Sequence, residues 1–262
     1  MLVAVGDVHG QLALLEDLLS QIDSAGLLDA ARLVFLGDYI DRGPDSRGVI
    51  ERLLELRRQR PDTVFLRGNH EQMLLDALDA GTGSSSAAPR VVPLALWLQG
   101  GGDATVRSYG IEPAAPNRAA LAACRDVLPA DHLAFLRSLT MEYVAERHHF
   151  VHAGLPPPGR PVVLPDGRDP RLWIRYDFLQ SDSDFGGRTV VYGHTPYRDG
   201  QPVIEATRIG IDTAAAYGGP LTAVALAPEV SGRASVMAVL QAFPRAARSR
   251  LPAQASPHEA GR

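Results

Sequence analysis

Short apolar runs alternate with longer stretches of helical periodicity through the first third of the chain. Leu2–Val5, Leu33–Leu36 and Thr63–Leu66 are brief and mostly apolar and each opens into a loop that carries Gly with Asp or Asn, the pattern of buried strands that end in loops. Leu12, Leu15, Leu18, Leu19 and Ile22 then recur at helical spacing, as do Val49, Ile50, Leu53, Leu54 and Leu56, and again Met73, Leu74, Leu75 and Leu78. Strand, loop and helix repeat three times, which predicts right-handed βαβ crossovers, a largely parallel sheet and an α/β fold.

Beyond this repeat the pattern changes. Gly81–Arg90 is rich in Gly, Ser, Ala and Pro and reads as a loop. Residues 94–139 are mainly helical, interrupted at Gly100-Gly101-Gly102 and Pro113–Pro116, and read either as a cap beside a site or as a helical insert that completes the core. Glu142–Ala145, His149–Val151, Thr189–Tyr192, Ile209–Asp212 and Leu221–Ala227 read as strands of a second, mixed sheet packed on the first. The expected organisation is a single domain over 1–244 and a disordered tail over 245–262.

Composition narrows the functional classes. The chain has 262 residues, 45% hydrophobic and 21% charged, enough for one well-buried core. A formal charge of −4 gives no reason to expect a nucleic-acid partner. Cys124 is the only cysteine, so an intrachain disulfide is excluded. No apolar stretch approaches the roughly 20 residues of a membrane span. Met1 runs into the first strand with no basic segment or cleavage site, and the expected location is cytoplasmic.

Candidate chemistry gathers at the strand ends. Asp7 and His9 stand two residues apart between Gly6 and Gly10, a spacing that can turn two ligand atoms toward one ion. Asp38 adds a carboxylate able to bridge two cations, Asn69 an amide oxygen, and His152 and His194 imidazole nitrogens. Oxygen and nitrogen donors without thiolate suit Mn, Fe, Zn or Co and do not choose among them. Two such cations ~3.5–4 Å apart can share a hydroxide and orient a phosphate. His132, His148, His149 and His258 lack any Gly-flanked motif and read as ordinary histidines.

Read in order, GDVHG (6–10), GDYIDRG (37–43), RGNHEQM (67–73), WLQGGG (97–102), VHAG (151–154), GHTP (193–196) and IDTAAAYGGPLT (211–222) resemble the phosphoprotein phosphatase branch of the calcineurin-like metallophosphoesterases, in particular its compact bacterial and phage members. The similarity runs over about residues 2–228. It implies a four-layer α/β/β/α sandwich with two central mixed sheets. It further implies that Asp7, His9 and Asp38 hold one divalent ion and that Asp38, Asn69, His152 and His194 hold another. Mn is the expected metal, with Fe or Zn as alternatives. By the same resemblance His70 protonates the leaving oxygen, Asp41 orients His70, and Arg42, Arg67 and Arg175 bind phosphate oxygens. The implied reaction is hydrolysis of phosphoserine or phosphothreonine in a protein or peptide, by direct attack of a metal-bridging hydroxide. The alternative is a dinucleoside polyphosphate such as diadenosine tetraphosphate on a related scaffold. Relatives of that kind tend to carry GNHD and to lack the Asp-Arg pair, so Glu71 and Asp41-Arg42 favour the phosphoprotein substrate. One departure stands out: Ala214 occupies a position where the pattern calls for Gly, and Ala resists positive φ.

Overall fold

The computed structural model describes residues 1–80, 93–112, 125–145, 147–164, 167–227 and 236–245. The expected loop over 81–90, Cys124, His258 and nearly all of the expected tail lie outside the described residues.

Three strands form the parallel half of the first sheet: β1 (Leu2–Val5), β2 (Arg32–Phe35) and β3 (Val64–Phe65). Their side chains alternate strictly. Val3, Val5, Leu33 and Phe35 face a helical layer, while Leu2, Ala4, Val34 and Leu36 face the second sheet. The covering helices α1 (Leu12–Ser24) and α3 (Ser46–Gln59) bury the periodic residues read from the sequence, and a short α2 (Leu27–Ala30) leads into β2. Asp45 caps α3 by accepting from the Gly48 amide at 2.7 Å. Next along the chain is α4 (Asn69–Ala80). The 94–139 block contributes α5 (Pro93–Gln99), α6 (Gly102–Ser108) and α7 (Ala130–Ser138), whose Trp97, Val106 and Phe135 join the same core.

The second sheet runs in the order β4 (Glu142–Ala145), β5 (His148–Val151), β6 (Thr189–Tyr192), β8 (Arg208–Gly210) and β7 (Val203–Ile204). Strands β5, β6 and β8 are parallel, and β4 and β7 are antiparallel edges. Phe150, Val191 and Ile209 fill the space between the sheets. Val190, Tyr192, Ile174 and Phe178 form a further core beneath two short helices, α8 (Pro170–Trp173) and α9 (Tyr176–Leu179). The layers are therefore helix, sheet, sheet, helix, as the family resemblance implied.

Two features of the first sheet depart from the sequence reading, and edge strand β7 of the second was not anticipated either. The strand expected over 221–227, β9 (Leu221–Leu226), belongs to the first sheet, antiparallel to β1, and not to the second. All six of its residues are buried, which suits a central position and not an edge. Beside it lies β10 (Val236–Ala242), which the sequence reading did not anticipate; its largely half-exposed pattern is that of an edge strand. The first sheet thus has the order β10-β9-β1-β2-β3. No helix among the described residues is long and apolar enough to cross a membrane.

Candidate metal centre

Every parallel strand but β8 delivers a polar residue of the centre from its carboxyl end, where ligand sites of open α/β sheets gather. Asp7 and His9 follow β1, Asp38 follows β2, Asn69 and His70 follow β3, His152 follows β5 and His194 follows β6. The six expected ligands, with His70 and Asp41, are all buried. Asp38 lies between the two halves. Its Oδ2 is 3.4 Å from His9 Nε2 and its Oδ1 3.4 Å from His152 Nε2. Asn69 Oδ1 lies 3.0 Å from His152 Nε2 and 2.8 Å from His194 Nδ1.

The orientation of these groups is set by the loops themselves. His9 Nδ1 donates to the Ile40 carbonyl at 2.9 Å and His152 Nδ1 to the Leu36 carbonyl at 2.8 Å, which turns both Nε2 lone pairs inward. Asp38 adopts φ +53°, a left-handed backbone that strains any residue with a side chain. Glu71 holds that turn. Its carboxylate accepts from the amides of Gly68 (2.9 Å), Asp38 (3.0 Å), Tyr39 (2.8 Å) and Ile40 (3.3 Å). An Asp at this position would fall one methylene short of those donors. Two glycines pack against the centre: a Cβ on Gly68 would run into Asp38 Oδ1, and one on Gly193 into Asp7 Oδ1.

The donor set fits divalent cations. Asp7 Oδ1 and His194 Nε2 are buried with no hydrogen-bond partner among the described residues, and a buried orphan oxygen is costly unless a cation meets it. Two groups of candidate ligand atoms lie within 4.8 Å of one another: His9, Asp38 and His70, and Asp38, His152 and His194. Charge is poorly balanced. Burial and the Asp212 carboxylate push the Asp7 carboxyl well above its ordinary range. Burial opposes the Asp38 charge too, but His152 and His70 hold its carboxyl well below that range. Burial also lowers His152, yet Asp38 outweighs it and draws the imidazole up to about 9. A bound cation would supply the missing positive charge and reverse the His152 shift.

A second cluster adjoins the first. His70 Nδ1 lies 2.7 Å from Asp41 Oδ2. Asp41 also accepts from Trp97 Nε1 at 3.0 Å and from Thr105 Oγ1 at 2.6 Å, and its own amide donates to Thr105 Oγ1 and Ser46 Oγ. Asp41 and Arg42 are consecutive residues at φ +74° and +67°. The pair is gripped by the 97–105 segment, with the Arg42 amide on the Gly101 carbonyl at 3.1 Å and Arg42 Nε on the Gly100 carbonyl at 3.3 Å. The Arg42 guanidinium reaches His9 Nε2 at 2.9 Å and His70 Nε2 at 2.8 Å, so it spans both clusters.

The other two arginines differ. Arg175 Nη1 is 3.4 Å from Thr195 Oγ1, next to His194. Arg67 bonds to groups other than the ligands: Nη1 donates to Gln72 at 2.9 Å and Nη2 to the Arg137 and Leu139 carbonyls at 3.0 and 3.4 Å. Ala214 adopts φ +65° despite its side chain, and Asp212 secures the turn by accepting from the Ala214 amide at 3.0 Å. His149 pairs with Glu142 and His132 with Tyr109, both outside the centre. Glu71, Trp97 and Thr105 are the residues whose part in the site the sequence reading missed. WLQGGG matches the family pattern, but nothing local to it points to Asp41.

Comparison with known proteins shows the family. Residues 1–216 match the family model of the calcineurin-like phosphoesterases. Serine/threonine-protein phosphatase 1 of Salmonella typhimurium is 32% identical over 219 residues, which cover 83% of this chain and 88% of that relative. Serine/threonine-protein phosphatase 2 of Escherichia coli is 38% identical over 99 residues, 38% of this chain and 37% of that relative's own length. Among solved structures, one assigned provisionally as a diadenosine tetraphosphatase superposes with a TM-score of 0.56 at 22% identity, covering 92% of this chain and 93% of that chain. A cold-active protein-tyrosine phosphatase of a Shewanella species superposes with a TM-score of 0.54 at 18% identity, covering 90% and 80%. At those identities the superpositions establish the shared fold. The chain belongs to the calcineurin-like phosphoesterases, a family of metal-dependent hydrolases, on the branch whose bacterial relatives are serine/threonine-protein phosphatases.

Proposed function

We propose that the chain is a metal-dependent phosphatase of phosphoserine and phosphothreonine in proteins or peptides. The observation that carries this reading is the Asp41–His70 pair at 2.7 Å, with Arg42 bonded to both His70 and His9. It combines a proton donor and a phosphate clamp at the edge of one ligand cluster. The near full-length likeness to the Salmonella phosphatase supports the same substrate class.

In this proposal Asp7, His9 and Asp38 would hold one divalent ion, and Asp38, Asn69, His152 and His194 would hold the second, with Mn the expected pair. When bound, the ions supply Lewis acidity and a water acidified enough to attack phosphorus near neutral pH. The protein's own groups do the rest. Arg42, with its fixed fork of donors, binds two phosphate oxygens, and Arg175 reaches the phosphate from the His194 side. As the phosphate draws the Arg42 guanidinium toward itself, His70 Nε2 loses its 2.8 Å contact and is free to carry a proton. His70 then delivers that proton to the departing serine or threonine oxygen, with Asp41 fixing the tautomer at Nδ1. Arg67, bonded to the end of α7, braces the loop before α4 in this reading and leaves phosphate binding to Arg42 and Arg175.

One panel tests the proposal. Protein reconstituted with Mn²⁺ is assayed on phosphoserine, phosphothreonine and phosphotyrosine peptides and on diadenosine tetraphosphate. Higher kcat/KM on phosphoserine or phosphothreonine peptides is expected. A preference for the dinucleotide by orders of magnitude would overturn the assignment.

A further inference from the structure

Arg198 has no part in the chemistry above, yet it sits beside it. It follows the Gly193–Pro196 block, is exposed, and places its guanidinium carbon 4.6 Å from the centre of the Tyr217 ring. The same ring carries the Arg42 guanidinium at 5.3 Å. Tyr217 is itself half exposed, so it forms a shelf at the mouth of the site with an arginine of the centre on one contact and a free-facing arginine on another.

Both supports of this shelf are hydrogen-bonded turns. The Tyr217 turn is closed by the Tyr217 and Gly219 amides, which donate to the Ala214 carbonyl at 2.8 and 3.0 Å. The turn that carries Arg198 is closed by the Gly200 amide on the Tyr197 carbonyl at 3.0 Å. Asp212 joins the two: its carbonyl accepts from the Tyr197 amide at 2.8 Å, and its side chain from the Ala214 amide at 3.0 Å. No carboxylate among the described residues pairs with Arg198, unlike Arg47, Arg52, Arg107, Arg137, Arg171 and Arg208. Its charge is positioned by the Tyr217 ring and, among the described residues, forms no salt bridge.

We propose that Arg198 is a subsite for an anionic side chain flanking the phosphorylated residue, so that acidic phosphopeptides are preferred substrates. This rests on the phosphoprotein reading of the centre. Two guanidiniums that share one ring lie within about 10 Å of each other. An extended peptide advances ~3.3–3.6 Å per residue, so a carboxylate two or three positions from the phosphorylated residue reaches Arg198 while the phosphate rests on Arg42. The field is local, because the chain as a whole is net negative.

The test measures kcat/KM of Mn²⁺-loaded protein on phosphoserine peptides that differ only in their flanks, with Glu, Ala or Lys two and three positions away. Wild type should favour the Glu-flanked peptide over the Ala-flanked one by about three- to fivefold at low salt, the size of an exposed ion pair, and the preference should shrink as KCl is added. Arg198→Ala should erase that preference while leaving the Ala-flanked peptide within about twofold, and Arg198→Glu should move the preference to the Lys-flanked peptide. Equal turnover of the three peptides by wild type, or an equal loss on all three in Arg198→Ala, would overturn the inference alone. Diadenosine tetraphosphate in the same assay, preferred by orders of magnitude, would overturn the phosphoprotein reading and the inference with it.

Discussion

The ligand cluster and the Asp41–His70 pair lie side by side, yet they are held in place by different means. The ligands are oriented from close at hand in space by the loops that bear them: the Ile40 and Leu36 carbonyls fix His9 and His152, and Glu71 gathers four loop amides. The acid pair is held from outside, by Trp97 and Thr105, which lie 56 and 64 residues beyond Asp41 in the chain. One region organises itself at the strand ends, and the other depends on a helical segment closing over it. Damage to the first should remove the cations and all chemistry, whereas damage to the second should spare the cations and penalise only steps that need a proton.

The comparison breaks most sharply at Asp38, the one carboxylate that faces both halves. Asp38→Asn should lower turnover on the order of 10³-fold or more, equivalent to several kcal/mol of lost electrostatic stabilisation, and bound Mn²⁺ should fall below two per chain by elemental analysis. Asp41→Asn comes next. It should keep both ions yet lose 10²–10⁴ in kcat on a phosphoserine peptide, the usual range for general acid catalysis. Retained activity or lost metal in this variant would merge two regions that the account separates.

Smaller effects sharpen the division. Trp97→Phe removes one donor to Asp41 without changing ring packing greatly, so kcat on phosphoserine should drop about tenfold while p-nitrophenyl phosphate, with its good leaving group, changes little. Thr105→Ser should retain near wild-type rates, and Thr105→Val should behave like Trp97→Phe. Arg67→Ala is expected to act on folding: about 1–2 kcal/mol lower stability in urea, from its lost bonds to the end of α7, with KM for phosphopeptides nearly unchanged. A large rise in KM would restore Arg67 to the phosphate-binding set.

The same contrast explains what was legible in the sequence. Each ligand block carries glycines of its own, so GDVHG or GNHE signals the chemistry and the turn that presents it, although the packing itself crosses between blocks, Gly68 on Asp38 and Gly193 on Asp7. Trp97 and Thr105 meet Asp41 only through the fold, and no periodicity in WLQGGG announces a carboxylate partner. The phosphate role expected of Arg67 comes from the family resemblance, whereas a long side chain at a strand end can reach either the ligands or the α7 carbonyls, and the sequence does not choose between them. The first three strands were clear because apolar runs and helices alternate within about 30 residues. Leu221–Leu226 was recognised as a strand and assigned to the wrong sheet, because its pairing with β1 spans more than 200 residues and its uniformly apolar face suits either sheet. Strand β10 was missed because its mostly half-exposed positions carry little pattern of their own.

The central claim is that the ligands and the acid pair do separable work. Its most direct test is the dependence of kcat/KM on leaving-group pKa across a series of phosphate monoesters, for Mn²⁺-loaded wild type and His70→Asn. The account predicts a shallow slope for wild type and a steep one for His70→Asn, with the two converging at good leaving groups. Parallel lines, displaced by a constant factor, would contradict it.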